Sequence, residues 1–286
     1  MRLENFDTER RYAATVKSSM RITSENSDEE VRELILQIDN LDFTVEIGQS
    51  IGVIIPGPHP HGHENHFRLY SIADLPWREA GGKPEIAICV KRCLYIDEYS
   101  GEEYKGIASN FLCDLRENDT LMMSGPYGIP FEIPEDKESD LLLIGMGTGI
   151  APFRGFVKNI YKNVGDWRGK VRLFYGAHTG LELLYMNDKR DDFANYYDEE
   201  TFLAFKALSA RPHWSKSGSL EETLVDKEAE VWEMINNPKT HVYIAGLESI
   251  KETLDKAFTE MAGSRELWEK KKAELIADMR WAELIY

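Results

Sequence analysis

The chain has 286 residues, 42% hydrophobic and 29% charged, which is length enough for two domains and apolar material enough for a substantial core. With 34 Lys and Arg against 50 Asp and Glu, the net charge of −16 excludes a general attraction for nucleic acid or anionic membrane, though not a local basic patch. No stretch is apolar for long enough to span a bilayer, and the charged segment 1–11 lacks the apolar core of a secretory signal. Three cysteines (Cys89, Cys93, Cys113), an odd number without metal-site spacing, point to a reducing cytoplasm and argue against a disulfide scaffold or an iron–sulfur cluster.

In chain order, the first half reads as antiparallel β. Residues 31–38 have a strand's composition and partial alternation, and 48–55 form a second strand after a glycine turn. The loop 56–66 carries four His among Pro and Gly. A metal site is one reading, but Pro and Gly break regular structure, and a solvated loop is preferred. Phe67-Arg68-Leu69-Tyr70-Ser71-Ile72-Ala73 follows as a strand, with Arg68 and Tyr70 on one face and Leu69 and Ser71 on the other. A cation, a flat aromatic ring and a hydroxyl in four residues suit a planar ring system carrying phosphates, since Arg holds phosphate bidentately and Tyr stacks. Two more strands are expected at 85–90 and 120–124, which together suggest a sandwich or barrel. Between them, Ser109 or Asn110 can cap a short amphipathic helix whose free N–H groups would face an anion, with small residues at 106–109 permitting close approach.

The second half alternates β and α, the pattern of a parallel sheet covered on both faces. The continuous apolar run 140–145 reads as a buried parallel strand. It runs into Gly145-Met146-Gly147-Thr148-Gly149-Ile150-Ala151-Pro152, with Pro152 suited to a first helical turn. Strand, glycine-rich turn and helix start make a phosphate-binding arrangement, but Ile150 stands where the third glycine of the usual dinucleotide fingerprint belongs. Further strands are expected at 171–176, 202–208 and 241–245. Helices are expected near 191–196, over 220–235 with a Ser219–Glu222 capping box, and at 248–262 and 265–281. The domain boundary falls in the charged stretch 133–139, which divides the chain into an antiparallel β domain, 1–135, and an α/β domain, 136–286.

With these pieces in order, the chain resembles the plant-type ferredoxin–NADP+ reductases. The resemblance is carried by Gly-Gln-Ser-Ile-Gly-Val-Ile (48–54), Arg-Leu-Tyr-Ser-Ile-Ala (68–73), Cys-Val-Lys-Arg (89–92) with Tyr95, Ser-Asn-Phe-Leu-Cys-Asp-Leu (109–115), Ser-Gly-Pro (124–126), Gly-Thr-Gly-Ile-Ala-Pro-Phe-Arg (147–154) and Tyr286. It implies an N-terminal antiparallel FAD barrel and a C-terminal NADP domain. It further implies that Arg68 holds the FAD diphosphate, Tyr70 stacks on the flavin with Leu69 beside it, and Ser71 bonds near the reactive nitrogen. Cys89, Val90 and Lys91 line the cofactor, with Lys91 facing the nicotinamide nucleotide. Tyr95 covers the adenine, and Gly106, Ile107, Ala108 and Ser109 cradle the diphosphate. Thr148 and Gly149 hold the nucleotide diphosphate, Gly246, Leu247 and Glu248 line the same cleft, and Tyr286 covers the second flavin face.

Departures from the family pattern bear on the chemistry. Ala245 stands where the family has Cys, and Leu284 stands at its carboxylate position, with Glu283 one step early. Ser71, Glu283 and Tyr286 are the candidate catalytic residues. Ser209, Arg211 and Lys216 are candidates for the 2′-phosphate without the family's stacking Tyr, so NADP(H) is favoured and NAD(H) is the alternative. The expected activity is FAD-dependent electron exchange between NADP(H) and a one-electron carrier: ferredoxin, flavodoxin or an oxygenase partner. Lys91, Arg92 and Arg154 are candidates for docking an acidic carrier. The altered hydride site keeps a second reading open, a reductase subunit of a larger electron-transfer or oxygenase complex. A non-catalytic FAD-binding module is the third.

Overall fold

The computed structural model describes residues 9–58, 64–79, 81–97, 99–208 and 219–286. The chain divides into two units, 1–131 and 132–286, slightly ahead of the expected boundary.

The first unit contains β1 (Arg11–Arg21), β2 (Val31–Ile38), β3 (Ser50–Pro56), β4 (Asn65–Ser71), β5 (Glu85–Lys91), β6 (Leu94–Ile96), β7 (Glu103–Lys105), helix α1 (Ile107–Asp114) and β8 (Thr120–Tyr127). Six of the strands form one antiparallel sheet in the order β4-β3-β8-β1-β2-β5. Its outer strands meet at the Ile72–Ile88 bridge just past β4, which closes the sheet on itself as a barrel. Val16, Leu34, Leu36, Ile51, Val53, Ile86, Ile88 and Met123 fill the interior. Gly52 is required by packing, because a Cβ there would lie 2.0 Å from the ring of Phe67, which in turn meets Tyr127 edge-on. Strand β1 and the β6–β7 hairpin were not anticipated. The inward residues of β1 are Tyr12, Ala14 and Val16 among small polar neighbours, a weak hydrophobic pattern.

The second unit contains β9 (Leu141–Met146), a 3-10 turn (Gly147–Gly149), α2 (Ile150–Lys158) with a π-helical continuation (Asn159–Val164), β10 (Val171–Ala177), the short pair β11 (Met186–Asn187) and β12 (Arg190–Asp191), β13 (Phe202–Leu208), α3 (Leu220–Val225), α4 (Glu228–Asn236), β14 (His241–Gly246), α5 (Ser249–Ala262), α6 (Arg265–Ala277) and β15 (Trp281–Ile285). Five strands form a parallel sheet in the order β13-β10-β9-β14-β15. From β9 the chain moves outward to β10 and β13, then returns to the other side of β9 with β14. The strand order therefore reverses between β9 and β14, and ligands of open α/β sheets bind at the carboxyl ends of the strands flanking such a point.

Three expectations in this unit are corrected. Residues 191–196 form only a short strand and a 3-10 turn (Phe193–Tyr196), because Phe193 and Tyr196 bury themselves as rings around Phe202 and not as a periodic helix face. Residues 220–235 form two helices: the Ser219–Glu222 capping box is made, but Lys227 leaves helical geometry. The last helix stops at Ala277, and Trp281 opens a strand. Met279 takes a left-handed conformation (φ 56°), with Met279 N–H bonded to Ile276 O and Arg280 N–H to Leu275 O. This is a Schellman ending without its usual glycine, so the residues gave no stop signal. Among the described residues no helix is long and apolar enough to cross a membrane.

Candidate functional site

In the first unit, β4 pairs with β3 so that Arg68 lies opposite Val53, Tyr70 opposite Ile51, and Ser71 opposite Ser50. Arg68 is exposed and makes no ion pair among the described residues. Tyr70 is half-buried. Burial holds its phenol well above the ordinary range, and the neighbouring Arg68 pulls it down only in part. Ser71 Oγ lies 3.4 Å from Ser50 Oγ. Leu69 is half-buried on the strand's other face.

Helix α1 begins at Ile107 with Gly106 as its cap residue, three residues before Ser109 and four before Asn110, and no side chain caps its first turn. Those two side chains are used elsewhere: Ser109 Oγ accepts Cys93 N–H at 3.1 Å, and Asn110 Nδ2 donates to Cys93 O and Gly106 O, both at 2.9 Å. Gly106 itself admits no Cβ, which would sit 2.7 Å from Ser109 Oγ and 3.1 Å from Cys93 Cβ. Arg92 braces the helix from the side, donating to Asn110 Oδ1 (3.0 Å), Asp114 Oδ1 (2.9 Å) and Glu30 Oε2 (2.7 Å). An uncapped helix start with no acidic residue in its first turn fits a diphosphate.

Around this cradle, Cys89 and Val90 are both buried in β5, on opposite faces of the strand. Val90 O accepts from the Cys113 thiol, which burial pushes up to about 12. Lys91 is paired with Glu29 at 2.7 Å. The β6–β7 hairpin pairs Tyr95 with Tyr104, their ring centroids 6.4 Å apart and both rings exposed as a ready stacking surface.

In the second unit, the turn Gly147–Gly149 stands at the carboxyl end of β9 and is fixed at each residue. Gly147 O accepts from the Tyr175 phenol at 3.0 Å. Thr148 Oγ1 lies 2.7 Å from Tyr286 Oη. Gly149 is pressed against β14, where a Cβ would lie 2.1 Å from Ala245 O. Gly147 has φ 57° and open space around it, and α2 starts without an acidic residue or side-chain cap. These groups fit a second diphosphate. Pro152 falls in the first turn of α2. Gly246 ends β14 on the same edge of the sheet, with exposed Leu247 and Glu248 leading into α5.

Strand β15 places the terminal residues. It pairs Glu283 with Ile244, Leu284 with Ala245 and Ile285 with Gly246, and Tyr286 N–H bonds to Gly246 O at 3.2 Å. Alternation puts Trp281, Glu283 and Ile285 on one face, with Trp281 and Ile285 packed against the α5–α6 core, and leaves buried Leu284 on the other. Glu283 accepts Trp281 Nε1–H at 2.7 Å and lies 3.7 Å from Lys251 Nζ. The one-residue offset from the family's carboxylate position is thus a change of face: Glu283 lies on the side of β15 that packs on α5 and α6.

Ser209, Arg211 and Lys216 lie outside the described residues, as do His59, His61 and His63. Lys91, Arg92 and Arg154 are each paired with a carboxylate: Glu29, Glu30 and Asp192. Arg154 is only 9% exposed, paired with Asp192, and 4.7 Å above the Tyr185 ring. The residues that sequence reading missed are Tyr175 and the Arg92–Asn110 brace. A Tyr in a buried strand needs a partner for its hydroxyl, and that is the available signal.

An antiparallel barrel with an anion-receptive helix start, and a parallel sheet with a glycine turn at its switch point, define a flavin- and nucleotide-dependent oxidoreductase. The profile of the oxidoreductase NAD-binding domain family matches residues 143–256. The chain is 31% identical over 274 residues to a ferredoxin–NADP reductase of Picosynechococcus sp., covering 93% of this chain and 67% of that one. It is 30% identical over 284 residues to the chloroplastic leaf isozyme 2 of Oryza sativa subsp. indica, covering 96% and 76%, and 29% identical to the Synechocystis sp. reductase, covering 94% and 66%. It thus spans about two thirds of the length of the two cyanobacterial relatives. The ferredoxin–NADP+ reductase of Plasmodium falciparum superposes with a TM-score of 0.73 at 21% identity, covering 99% of each chain, a likeness of fold. The chain belongs to the ferredoxin–NADP reductase family. It is an oxidoreductase whose family cofactors are FAD and NADP(H), and the reading as a subunit of a larger complex is not the one these relatives favour.

Proposed function

We propose that this enzyme holds FAD on its first unit and NADP(H) on its second, and exchanges electrons with ferredoxin or another one-electron carrier. Bound flavin supplies the conversion between hydride and single-electron chemistry. The observation that carries the reading is the Gly147–Gly149 turn, braced at all three residues where the strand order reverses.

On this reading Arg68 and the N–H groups of Ile107, Ala108 and Ser109 bind the FAD diphosphate, Tyr95 stacks on the adenine, and Tyr70 packs on the flavin. Ser71 offers a hydroxyl beside the reacting ring, and the Ser50 hydroxyl within reach orients it. Thr148 and Gly149 receive the nucleotide diphosphate, and Tyr286 must yield Thr148 for that to happen. Glu283 keeps β15 on α5 and takes no part in proton movement. Flavodoxin and an oxygenase component are alternative carriers. The odd number of cysteines suits a reducing compartment such as the cytoplasm.

Anaerobic titration of the purified holoprotein with NADPH and with NADH tests this. Bleaching of the flavin by NADPH, followed by reduction of added ferredoxin or flavodoxin, is the expected result. A flavin that stays oxidised under both nucleotides would overturn it.

A further inference from the structure

We infer that Tyr175 is a positioning residue for the nicotinamide nucleotide, acting through the peptide between Gly147 and Thr148. The inference rests on the proposed reading that this turn binds the nucleotide diphosphate. Tyr175 lies inside β10 with no exposed surface. A hydroxyl in such a place is costly unless it is hydrogen-bonded. Here it is fully engaged: it faces Gly147 O at 3.0 Å and Glu182 O at 3.3 Å, and accepts Leu184 N–H at 3.2 Å. A phenol has one proton, so the two carbonyls share it while the amide takes a lone pair. One buried group thereby ties the turn after β9 to the chain that follows β10.

The consequence for binding follows from peptide geometry. The peptide unit is planar and trans, so its C=O and N–H point in opposite directions. Gly147 O held inward on Tyr175 therefore turns Thr148 N–H outward, towards the helix start where an anion is received. Gly147 O also accepts Ile150 N–H, but that is a single bond of a short 3-10 turn. Gly147 has φ 57° and nothing within 4 Å of where its Cβ would be, so no side chain of its own resists rotation of the peptide. A rotated peptide would present a carbonyl oxygen to the phosphates in place of a donor. The phenol is the second restraint against that rotation.

Tyr175→Phe keeps the buried ring and removes the hydroxyl. In the FAD-loaded protein we expect KM for NADPH and Kd for NADP+ to rise about tenfold, the equivalent of one hydrogen bond. We expect kcat at saturating NADPH to stay within about twofold, and the flavin spectrum without nucleotide to be unchanged. Phe174→Leu, a neighbouring core change on the same strand, should lower Tm without moving KM. Replacing Tyr175 by 3-fluorotyrosine, which keeps the phenol, should leave KM near the parent value. An unmoved KM in Tyr175→Phe, an equal KM shift in Phe174→Leu, a fluorotyrosine protein as impaired as the Phe variant, or loss of bound flavin would each overturn the assignment. If NADPH fails to reduce the parent flavin, the underlying reading of the turn fails; an active parent with an insensitive Tyr175→Phe sinks only this inference.

Discussion

The hydroxyl of Tyr286 lies 2.7 Å from Thr148 Oγ1, so the side chain that follows β15 is bonded to the central residue of the glycine turn. Tyr286 N–H is at the same time bonded to Gly246 O, which fastens the terminus to the end of β14. A nucleotide diphosphate arriving at the turn must compete for Thr148 with this phenol. Tyr286→Phe removes the competitor and keeps the ring. NADP+ should bind several-fold more tightly, in keeping with one hydrogen bond of roughly 0.5–1.5 kcal/mol. The difference spectrum of the flavin during NADP+ titration measures it, and an unchanged Kd would mean the bond does not oppose the nucleotide.

Gly149→Ala should separate the two cofactors. The added Cβ would meet Ala245 O at 2.1 Å and Ala245 C at 2.5 Å, backbone against backbone, so no side chain can swing away. The turn has to move, at a cost of about 1–3 kcal/mol if the strain is typical of overpacking. The variant should purify yellow, because the first unit is untouched, yet need at least about tenfold more NADPH for half-maximal rate. A parent-like KM would show that the contact is tolerated.

Glu283→Gln should leave flavin reduction by NADPH within about twofold of the parent in a stopped-flow trace. Its carboxylate serves Trp281 and Lys251 on the α5–α6 face. The amide still accepts from the indole but loses the ionic contact, so a small drop in Tm is the expected signature. A rate loss of a hundredfold would return Glu283 to the hydride path.

Arg92→Ala should release FAD without disturbing the second unit's own fold. The guanidinium joins Glu30, Asn110 and Asp114, and so holds α1 where its start can receive the diphosphate. The same contact gives a pH dependence. Burial would raise the Glu30 carboxyl, but hydrogen bonds from Arg92 and Arg32 outweigh it and hold the group below its ordinary 4.5. Its stabilising contribution is therefore complete above about pH 4.5 and is lost as the pH falls through the lower folded-state value. The stability gap between parent and Arg92→Ala, read from denaturant midpoints, should be constant near neutrality and narrow on acidification below that point. A gap that does not change with pH would show that the ion pair contributes nothing.

The sequence by itself determined the antiparallel first half and the parallel sheet of the second, because alternation and unbroken apolar runs report burial on one face or on both; between a sandwich and a barrel only the family resemblance chose. It also located the glycine turn, since Gly147, Thr148 and Gly149 between a buried strand and a helix start have few other uses. Tertiary structure alone decided which groups hold that turn. Tyr175, Ala245 and Tyr286 are distant from it in sequence and reach it only because β10 and β14 flank β9 and Tyr286 follows β15 on β14. The face taken by Glu283 is likewise decided only by β15, because the residue pattern there reads as helix up to Trp281. That strand depends on Met279 accepting a left-handed conformation usually left to glycine, which residue identity does not announce. Nor could charge counting foresee that Lys91, Arg92 and Arg154 are each held by a carboxylate, since pairing depends on which chains the fold brings within a few ångströms.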